Sequence, residues 1–440
     1  MCGISENRSN CLGIILGFSS VANGFMFHIG AFNLRICDLV FWFLPIYWFV
    51  FRIRIRNYYD RNILTGVILV SIFFFWLTIS GFIHFEEYNE LYKDFFIKYY
   101  VNKLIWIPLY AMIFMAYGGE RFFYNVLLGI SICLAINSIF VLYEYYSILN
   151  GQIPSYSFLE MIGLYIDKKK EDVINQNMIR PTGLMLDPNY TGGYAGIGLI
   201  FFDYLYKKTK KRKFIFCQLL SMIPMFVLFS RTGLFSLFLC FIFSLLLYAF
   251  APPKFHYRLL SPLMFSLLVI GVVFVGLYIY SFDESTYQLL LDRLVMNDSS
   301  AGTRTLYLDA YIEEASISQI FFGVGTSGSG FSLGSEGFFY GAATVWAPES
   351  NVITFFMEQG LFFLLLYFIL CVLVMSKLLR RNYYYALIFL YINLIGISYN
   401  FLGDRVFYFL ISCFFLWVYA NVPNRIKIEK YNNSYGENFN

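Results

Sequence analysis

Long apolar runs follow one another along most of the chain. A hydrocarbon core of about 30 Å is crossed by about 20 helical residues, and many of these runs are close to that length. Twelve such segments lie near 11–27, 38–51, 63–84, 101–117, 122–148, 190–206, 214–229, 232–250, 260–281, 351–375, 382–400 and 406–421. The pattern predicts an all-α fold, a polytopic integral membrane bundle of about twelve transmembrane helices. The short second and seventh segments leave a count of ten or eleven open.

The composition supports a membrane protein. Of the 440 residues, 59% are hydrophobic and only 14% are charged. An ordinary soluble domain carries roughly 25% charged residues, so this chain has far too few to cover a water-facing surface. The composition therefore excludes an ordinary soluble domain.

The distribution of lysine and arginine predicts the orientation of the helices. With both termini in the cytoplasm, the short inner connections and the 422–440 tail receive 20 of the 32 cations. Cytoplasmic loops are enriched in these residues, so we expect one transmembrane domain, 1–440, in the bacterial inner membrane. The basic run 207–213 is better explained as an anchor beside a helix end than as a nucleic-acid site, and we expect no nucleic-acid partner.

Two long connections fall on the outer, periplasmic side in this arrangement. The first covers 150–188 and the second, larger loop covers 282–350. Long loops of this kind are usually functional. Within the larger loop, apolar spacing predicts short helices over 284–295 and 303–317, and the glycine- and serine-rich stretch 323–337 predicts a flexible flap over the membrane surface.

Three outer arginines stand at predicted helix starts. Arg231 opens the eighth apolar segment, Arg304 opens a loop helix, and Arg180 shortly precedes Asp187-Pro188, a pairing typical of a helix start. Helix N-termini favour anions, and a guanidinium binds two phosphate oxygens at once. Together the three arginines predict a diphosphate site. Each arginine by itself is explained equally well by lipid headgroup anchoring or a local ion pair.

Other charged residues have similar alternatives. Arg35 with Asp38, and Arg405 with Asp404, are close enough in sequence to form local pairs. An arginine beside an apolar segment usually faces a cavity and has a partner, because its desolvation is costly.

Carboxylates supply the candidate general base. Glu349 lies just before the tenth apolar segment and is best placed for proton transfer. An equally good interpretation is that Ser350 or Asn351 caps a helix there and that Glu349 interacts with the positive end of its dipole. Glu358 and Glu144 lie inside apolar segments, where a carboxyl group is expected to be protonated or paired. The sequence has no motif for a metal-bound nucleotide sugar, so we expect metal-free chemistry without a cofactor.

Several short motifs resemble the O-antigen polymerase and ligase superfamily, the Wzy/WaaL group. The resemblance covers the whole chain in topology, but the motifs are short. They are Arg35-Ile-Cys-Asp38, Arg180-Pro-Thr-Gly183, Asp187-Pro-Asn189, Ser230-Arg-Thr-Gly233, Gly302-Thr-Arg304, Gly323-x-Gly325, Glu349-Ser-Asn351 and Glu358-Gln-Gly360.

The resemblance implies a metal-independent glycosyltransferase that uses undecaprenyl-diphosphate-linked sugars at the periplasmic face. It implies that Arg180, Arg231 and Arg304 hold the donor diphosphate and that Glu349 accepts the proton of the attacking hydroxyl. The further motif residues expected to bind substrate are Arg35, Asp38, Asp187, Asn189, Asn351 and Arg405.

Three functions remain open at this point. The ligase branch typically has a His-Asn pair where this chain has Glu349-Ser-Asn351, which favours a polymerase of oligosaccharide repeat units over a ligase that transfers polymer to lipid A core. A flippase or transporter would place its charges near the bilayer midplane in two related halves. For a polymerase we expect membrane lipids, a chain-length regulator and a flippase of the same pathway as partners.

Overall fold

The described part of the chain is mostly helical. A computed structural model describes residues 2–29, 32–36, 38, 40, 61–86, 90–105, 107–108, 120–150, 152–166, 181–228, 230–250, 308–309, 311–329, 350–399 and 405–419. The α-helices are α1 (Cys2–Val21), α2 (Arg61–Ile83), α3 (Glu90–Tyr99), α4 (Glu120–Leu149), α5 (Ser157–Glu160), α6 (Pro188–Thr209), α7 (Lys213–Val227), α8 (Arg231–Phe250), α9 (Ile317–Phe322), α10 (Asn351–Arg381), α11 (Tyr383–Ser398) and α12 (Arg405–Tyr419). A π-helical turn, Tyr100–Leu104, follows α3, and the strands are β1 (Phe25–Ile29), β2 (Phe32–Arg35) and β3 (Leu164–Ile166).

Four helices within the described residues are long and apolar enough to cross a membrane. They belong to α2, α4, α8 and α10, and shorter apolar helices lie in α1, α7, α11 and α12. Their exposed faces carry large apolar side chains such as Phe75, Ile139, Phe238 and Phe368, as lipid-facing surfaces do. The prediction of a helical membrane protein is confirmed at this level.

Predicted segments and observed helices agree where both are described. The segments near 63–84, 122–148, 190–206, 214–229, 232–250, 351–375, 382–400 and 406–421 each coincide with one helix, in order α2, α4, α6, α7, α8, α10, α11 and α12. The segments predicted near 38–51, 101–117 and 260–281 lie largely or wholly outside the described residues, as do the loop helix predicted over 284–295 and the tail 422–440.

Helix α6 lies at the centre of the bundle. It packs against α4, α7 and α11, and it is buried on almost every side. Its one buried acid, Asp203, accepts hydrogen bonds from Gln218 (3.2 Å) and Tyr384 (3.2 Å), and Lys207 lies 3.5 Å away. A helix surrounded by protein can carry such a group because its neighbours satisfy it.

The first predicted segment, 11–27, is wrong at its C-terminal end. Helix α1 ends at Val21, and the following residues form β1, the middle strand of an antiparallel sheet of order β2-β1-β3. The chain turns because the backbone N–H of Gly24 donates to the carbonyl of Leu184 (2.8 Å) and the side chain of Asn23 accepts from Leu186 (3.2 Å). The all-α prediction thus misses a small sheet whose third strand comes from a distant loop.

The loop helix predicted over 303–317 ends earlier than expected. Its described residues 308–309 and 311–314 are helical, but Ser316 then starts a new helix, α9, through a capping box with Gln319. A serine whose side chain satisfies a free N–H interrupts one helix and begins the next.

Candidate functional site

Three helix starts meet at one end of the bundle. Helix α8 begins beside the first turns of α6, where Gly192 packs on Ser230 and a Cβ at Gly233 would lie 2.6 Å from the carbonyl oxygen of Gly192. The hydroxyl of Tyr391, on α11, donates to the carbonyl of Gly193 (2.5 Å) and holds this junction from a third helix. Residues from three helices therefore pack closely enough to fix the relative positions of the α6 and α8 starts.

The end of α11 connects the α6 start to the α10 start. The hydroxyl of Tyr399 donates to the carboxylate of Asp187 (3.2 Å), and its ring packs edge-on against Tyr190, with centroids 5.7 Å apart. The hydroxyl of Ser350 donates to the carbonyl of Ile397 (2.7 Å). The starts of α6, α8 and α10 thus form one cluster, which we call the three-start cluster: residues 187–193, 230–233 and 350–351.

The start of α6 forms as the sequence predicts. Asp187 is the N-cap and its carboxylate accepts from the backbone N–H of Asn189 (2.7 Å), while Pro188 occupies the first helical position. Thr191 adds a bond from its hydroxyl to the carbonyl of Thr182 (2.6 Å). The N-cap prediction for Asp187 is confirmed, and its carboxylate is occupied by two donors, the N–H of Asn189 and the hydroxyl of Tyr399.

The structure shows which of the two predicted residues, Ser350 or Asn351, caps α10. Ser350 is the N-cap, with its hydroxyl directed to the N–H of Ile353, and Asn351 is the first helical residue. Asn351 is buried, and its amide nitrogen would lie 2.5 Å from a Cβ at Gly396. Asn351, which the sequence predicts to bind substrate, therefore lies in the three-start cluster, packed between α10 and α11.

Buried polar side chains hold the segment 182–186 that leads into α6. The carboxylate of Glu144 accepts from the backbone N–H groups of Thr182 and Gly183 (2.8 Å for Gly183) and from the hydroxyl of Tyr156. The amide oxygen of Asn137 accepts from the N–H of Leu184. The expectation that Glu144 is paired inside the bundle is confirmed, and its pairing positions the chain just before the three-start cluster.

The same carboxylate affects the pKa of the Tyr156 hydroxyl. Burial, together with the neighbouring charge of Glu144, raises the pKa of the Tyr156 hydroxyl well above its usual value. The hydroxyl therefore stays protonated and remains a donor to Glu144 at any physiological pH.

The glycine-rich stretch is not a flexible flap where it is described. Residues 323–329 pack into the bundle beside a kink of α10 at Gly360, and Val324, Thr326 and Ser329 are buried. The backbone N–H groups of Val324 and Gly325 donate to the carbonyls of Met357 (2.9 Å) and Glu358 (3.0 Å). The composition predicted mobility, but glycine here allows close backbone contact.

Side chains complete this contact. The hydroxyl of Ser329 donates to the carboxylate of Glu358 (2.9 Å), and the amide of Gln359 donates to the hydroxyl of Thr326 (2.7 Å). Tyr92, on α3, donates to the carbonyl of Thr326 (2.9 Å). Glu358 is therefore paired inside the bundle as expected, and its partner comes from the large loop.

Arg35 lies in the sheet and Asp38 lies just beyond it. Arg35 ends β2 and is paired in register with Met26, and its backbone N–H donates to the carboxylate of Asp38 (3.0 Å). The middle strand β1 follows directly on the contact between Gly24 and Leu184. The sheet therefore places Arg35 and Asp38 on the same end of the bundle as the three-start cluster.

Of the remaining predicted site residues, two lie at the starts of described helices and the others lie outside the described residues. Arg231 is the first residue of α8, half-buried, and belongs to the three-start cluster; Arg405 is the first residue of α12. Arg180, Arg304 and Glu349, and the side chain of Arg405, lie outside the described residues.

Sequence reasoning missed Tyr399, Asn137 and Asn23 as parts of this end of the bundle. Tyr399 and Asn23 lie near the end of an apolar run and Asn137 lies inside one, and each bonds a segment that is distant along the chain. The cost of burying an amide or hydroxyl without a partner signals that a partner exists. The identity of that partner depends on which helices are neighbours.

Comparison with known proteins does not assign this chain to a family. No protein-family model matches this chain, and no curated protein of similar sequence was found.

Proposed function

We propose that this protein is a lipid-linked-sugar-dependent glycosyltransferase that polymerises undecaprenyl-diphosphate-linked oligosaccharide repeat units into O-antigen-type polysaccharide. In the proposed arrangement the chain crosses the bacterial inner membrane about twelve times, with both termini in the cytoplasm. The 150–188 and 282–350 loops and the three-start cluster face the periplasm.

The meeting of three helix starts, one of them headed by Arg231, is the observation that carries the proposal. The helix dipole makes a helix start favourable for an anion, and a guanidinium adds two directed donors. A lipid diphosphate is the anionic part of the proposed donor. The cluster therefore supports a site for the leaving group of a sugar transfer.

The proposed reaction uses the residues in distinct roles. The acceptor hydroxyl attacks the anomeric carbon of the donor with inversion, and the bond from that carbon to the diphosphate oxygen breaks. The electron pair leaves with the diphosphate, which Arg180, Arg231 and Arg304 stabilise, and Glu349 takes the hydroxyl proton. Arg35, Asp38, Asn189, Asn351 and Arg405 bind substrate in this proposal.

The proposal is tested by deleting the gene and complementing with variants, followed by gel analysis of extracted lipopolysaccharide. Arg231→Ala is expected to reduce the ladder of polymer lengths to core bearing a single repeat unit, and Arg180→Ala, Arg304→Ala and Glu349→Ala to do the same. Arg212→Ala is a matched control, because Arg212 is exposed in the turn between α6 and α7 at the other end of these helices.

Expression of every variant is checked by immunoblot of the membrane fraction. Bare core with long polymer retained on the lipid carrier would assign a ligase instead. A normal ladder from all four variants, with loss of the ladder in the deletion strain, would show that the diphosphate site is wrong and would favour transport of the lipid-linked unit.

A further inference from the structure

The loop after α4 turns back along the helix instead of leading away from it. The N–H of Gln152 donates to the carbonyl of Ser147 (2.9 Å), and the N–H of Ser155 then donates to the hydroxyl of Tyr143 (3.2 Å). Phe158 reaches Phe140, with ring centroids 6.4 Å apart. The returning segment, residues 153–162, therefore descends beside the last three turns of α4, over about 13 Å at about 1.5 Å per residue.

This depth corresponds to the edge of the hydrocarbon core. Arg121, exposed at the start of α4, marks one boundary of its apolar part. From Arg121 to Phe140 the helix rises about 28 Å, close to the hydrocarbon thickness of about 30 Å. Phe158, packed on Phe140, therefore lies near the opposite boundary, on the side of the three-start cluster.

The returning segment exposes apolar side chains at this level. Met161 is 86% exposed, Ile162 65% and Phe158 53%, whereas Ile153, 67% exposed, follows the contact of Gln152 with Ser147 and lies above this level. Its only charged residue is Glu160. An exposed apolar patch of this kind, on a short segment, marks a surface that contacts a lipid or a protein.

Continuity with the lipid-facing surface of α4 identifies the contact. Exposed apolar residues follow one another on α4 at spacings of three or four, namely Ile136, Ile139, Leu142, Tyr146 and Leu149. Tyr143, on the same face, touches the returning segment through Ser155 and Tyr156. Ile136 and Ile139 lie on the hydrocarbon side of Phe140, so Phe158, Met161 and Ile162 extend a face that already meets acyl chains.

We propose that the returning segment inserts into the boundary between lipid headgroups and acyl chains. It acts as an interfacial anchor, in which apolar side chains lie in the outer part of the hydrocarbon and polar backbone remains at headgroup level. Tyr156 ties the segment to Glu144, so the anchor holds the sheet and the residues 182–186 at the bilayer surface. This inference is independent of the reaction proposed above.

The test measures tryptophan fluorescence of the full chain in phosphatidylcholine nanodiscs, with plain or dibrominated acyl chains. Met161→Trp and Ile162→Trp report on the segment, and the signal of the six native tryptophans is removed by subtracting the parent protein. Phe368→Trp, exposed on the apolar face of α10, is the lipid reference. Lys211→Trp, exposed in the basic turn after α6, is the water reference.

Bromine is expected to quench the new tryptophan at position 161 or 162 to nearly the extent seen for Phe368→Trp, most strongly when the bromines lie near the headgroups. Quenching no greater than that of Lys211→Trp at both positions would overturn the proposal, and would leave the patch facing water or a protein partner. Unchanged elution and thermal unfolding of each variant confirm that the fold is intact.

Discussion

Asp187 caps one helix and also bonds the end of a second helix, and only the first of these roles can be read from its position in the chain. Its carboxylate caps α6 through the N–H of Asn189, and it also accepts the hydroxyl of Tyr399 from the end of α11. The first contact follows from local sequence, since aspartate before proline is a frequent helix start. The second joins two helices that are distant along the chain. Both acceptor contacts leave Asp187 better suited to holding the three-start cluster together than to binding substrate.

Substitution of Asp187 separates these roles. Asp187→Asn is expected to keep the cap, the thermal stability and most of the polymer length, because an amide oxygen caps a helix about as well as a carboxylate. Asp187→Ala is expected to lose about 1 kcal/mol of stability from the cap alone. Thermal unfolding in detergent and the lipopolysaccharide ladder measure the two effects.

The pair of variants also tests the earlier expectation that Asp187 binds substrate. An Asp187→Asn protein with normal thermal unfolding and no polymer would show that the negative charge acts on the substrate, and would contradict the structural role.

At the scale of elements, the kink in α10 at Gly360 allows the described end of the large loop, near residues 321–325, to pack against this helix. Gly360 has φ 80° and ψ 175°, a backbone conformation that is essentially confined to glycine. A Cβ at Gly360 would collide with the carbonyl of Phe321, and a Cβ at Gly323 would collide with that of Glu358. The backbone of the loop therefore lies in direct contact with the backbone of the helix. This contact positions Ser329 beside Glu358.

Gly360→Ala is expected to destabilise the protein by about 3 kcal/mol or more, because backbone strain and a collision add together. Gly163→Ala is the matched control: Gly163 has φ 79°, but no atom lies within 4 Å of the position of its Cβ. It should cost about 1–2 kcal/mol, from backbone strain alone. Thermal unfolding of the two variants in the same detergent gives the comparison, and equal losses would contradict the close crossing.

At the scale of the whole molecule, the two ends of the bundle differ chemically. The end opposite the three-start cluster carries cations over aromatic rings: Lys207 lies 5.8 Å from the ring centroid of Tyr384, and Arg381 lies 4.2 Å from that of Trp417. Lysine and arginine are enriched on the cytoplasmic side of membrane proteins, whereas aromatic residues occur at both interfaces. The asymmetry supports the proposed orientation.

Reporter fusions test that orientation. Fusion of a fluorescent protein after Thr209 is expected to be fluorescent, and fusion of alkaline phosphatase at the same residue is expected to be inactive, because folding of each reporter is confined to one compartment. Fusions after Ile162 are expected to show the reverse pattern. The opposite result at both positions would invert the topology and place the three-start cluster in the cytoplasm.

Local sequence was sufficient for eight of the described helices and for the cap of α6. Apolar runs predicted α2, α4, α6, α7, α8, α10, α11 and α12, because a lipid environment requires each spanning segment to satisfy its backbone internally. Asp187 as N-cap, and the pairing of Glu144 and Glu358, followed from the cost of unsatisfied polar groups. These properties depend on neighbours along the chain or on the solvent.

Only the tertiary structure decided which groups meet. The partner of Glu144 is a backbone segment 38 residues away, and that of Glu358 is Ser329, in a stretch whose composition predicted mobility. The end of α1 at Val21 depends on Leu184, which the first segment cannot specify. A helix start carries the same dipole wherever it points, and the chain alone predicts anion sites near the starts that carry Arg180, Arg231 and Arg304, of which Arg304 lies outside the described residues. Packing of α6, α8, α10 and α11 brings the starts at Pro188, Arg231 and Asn351 together into one cluster.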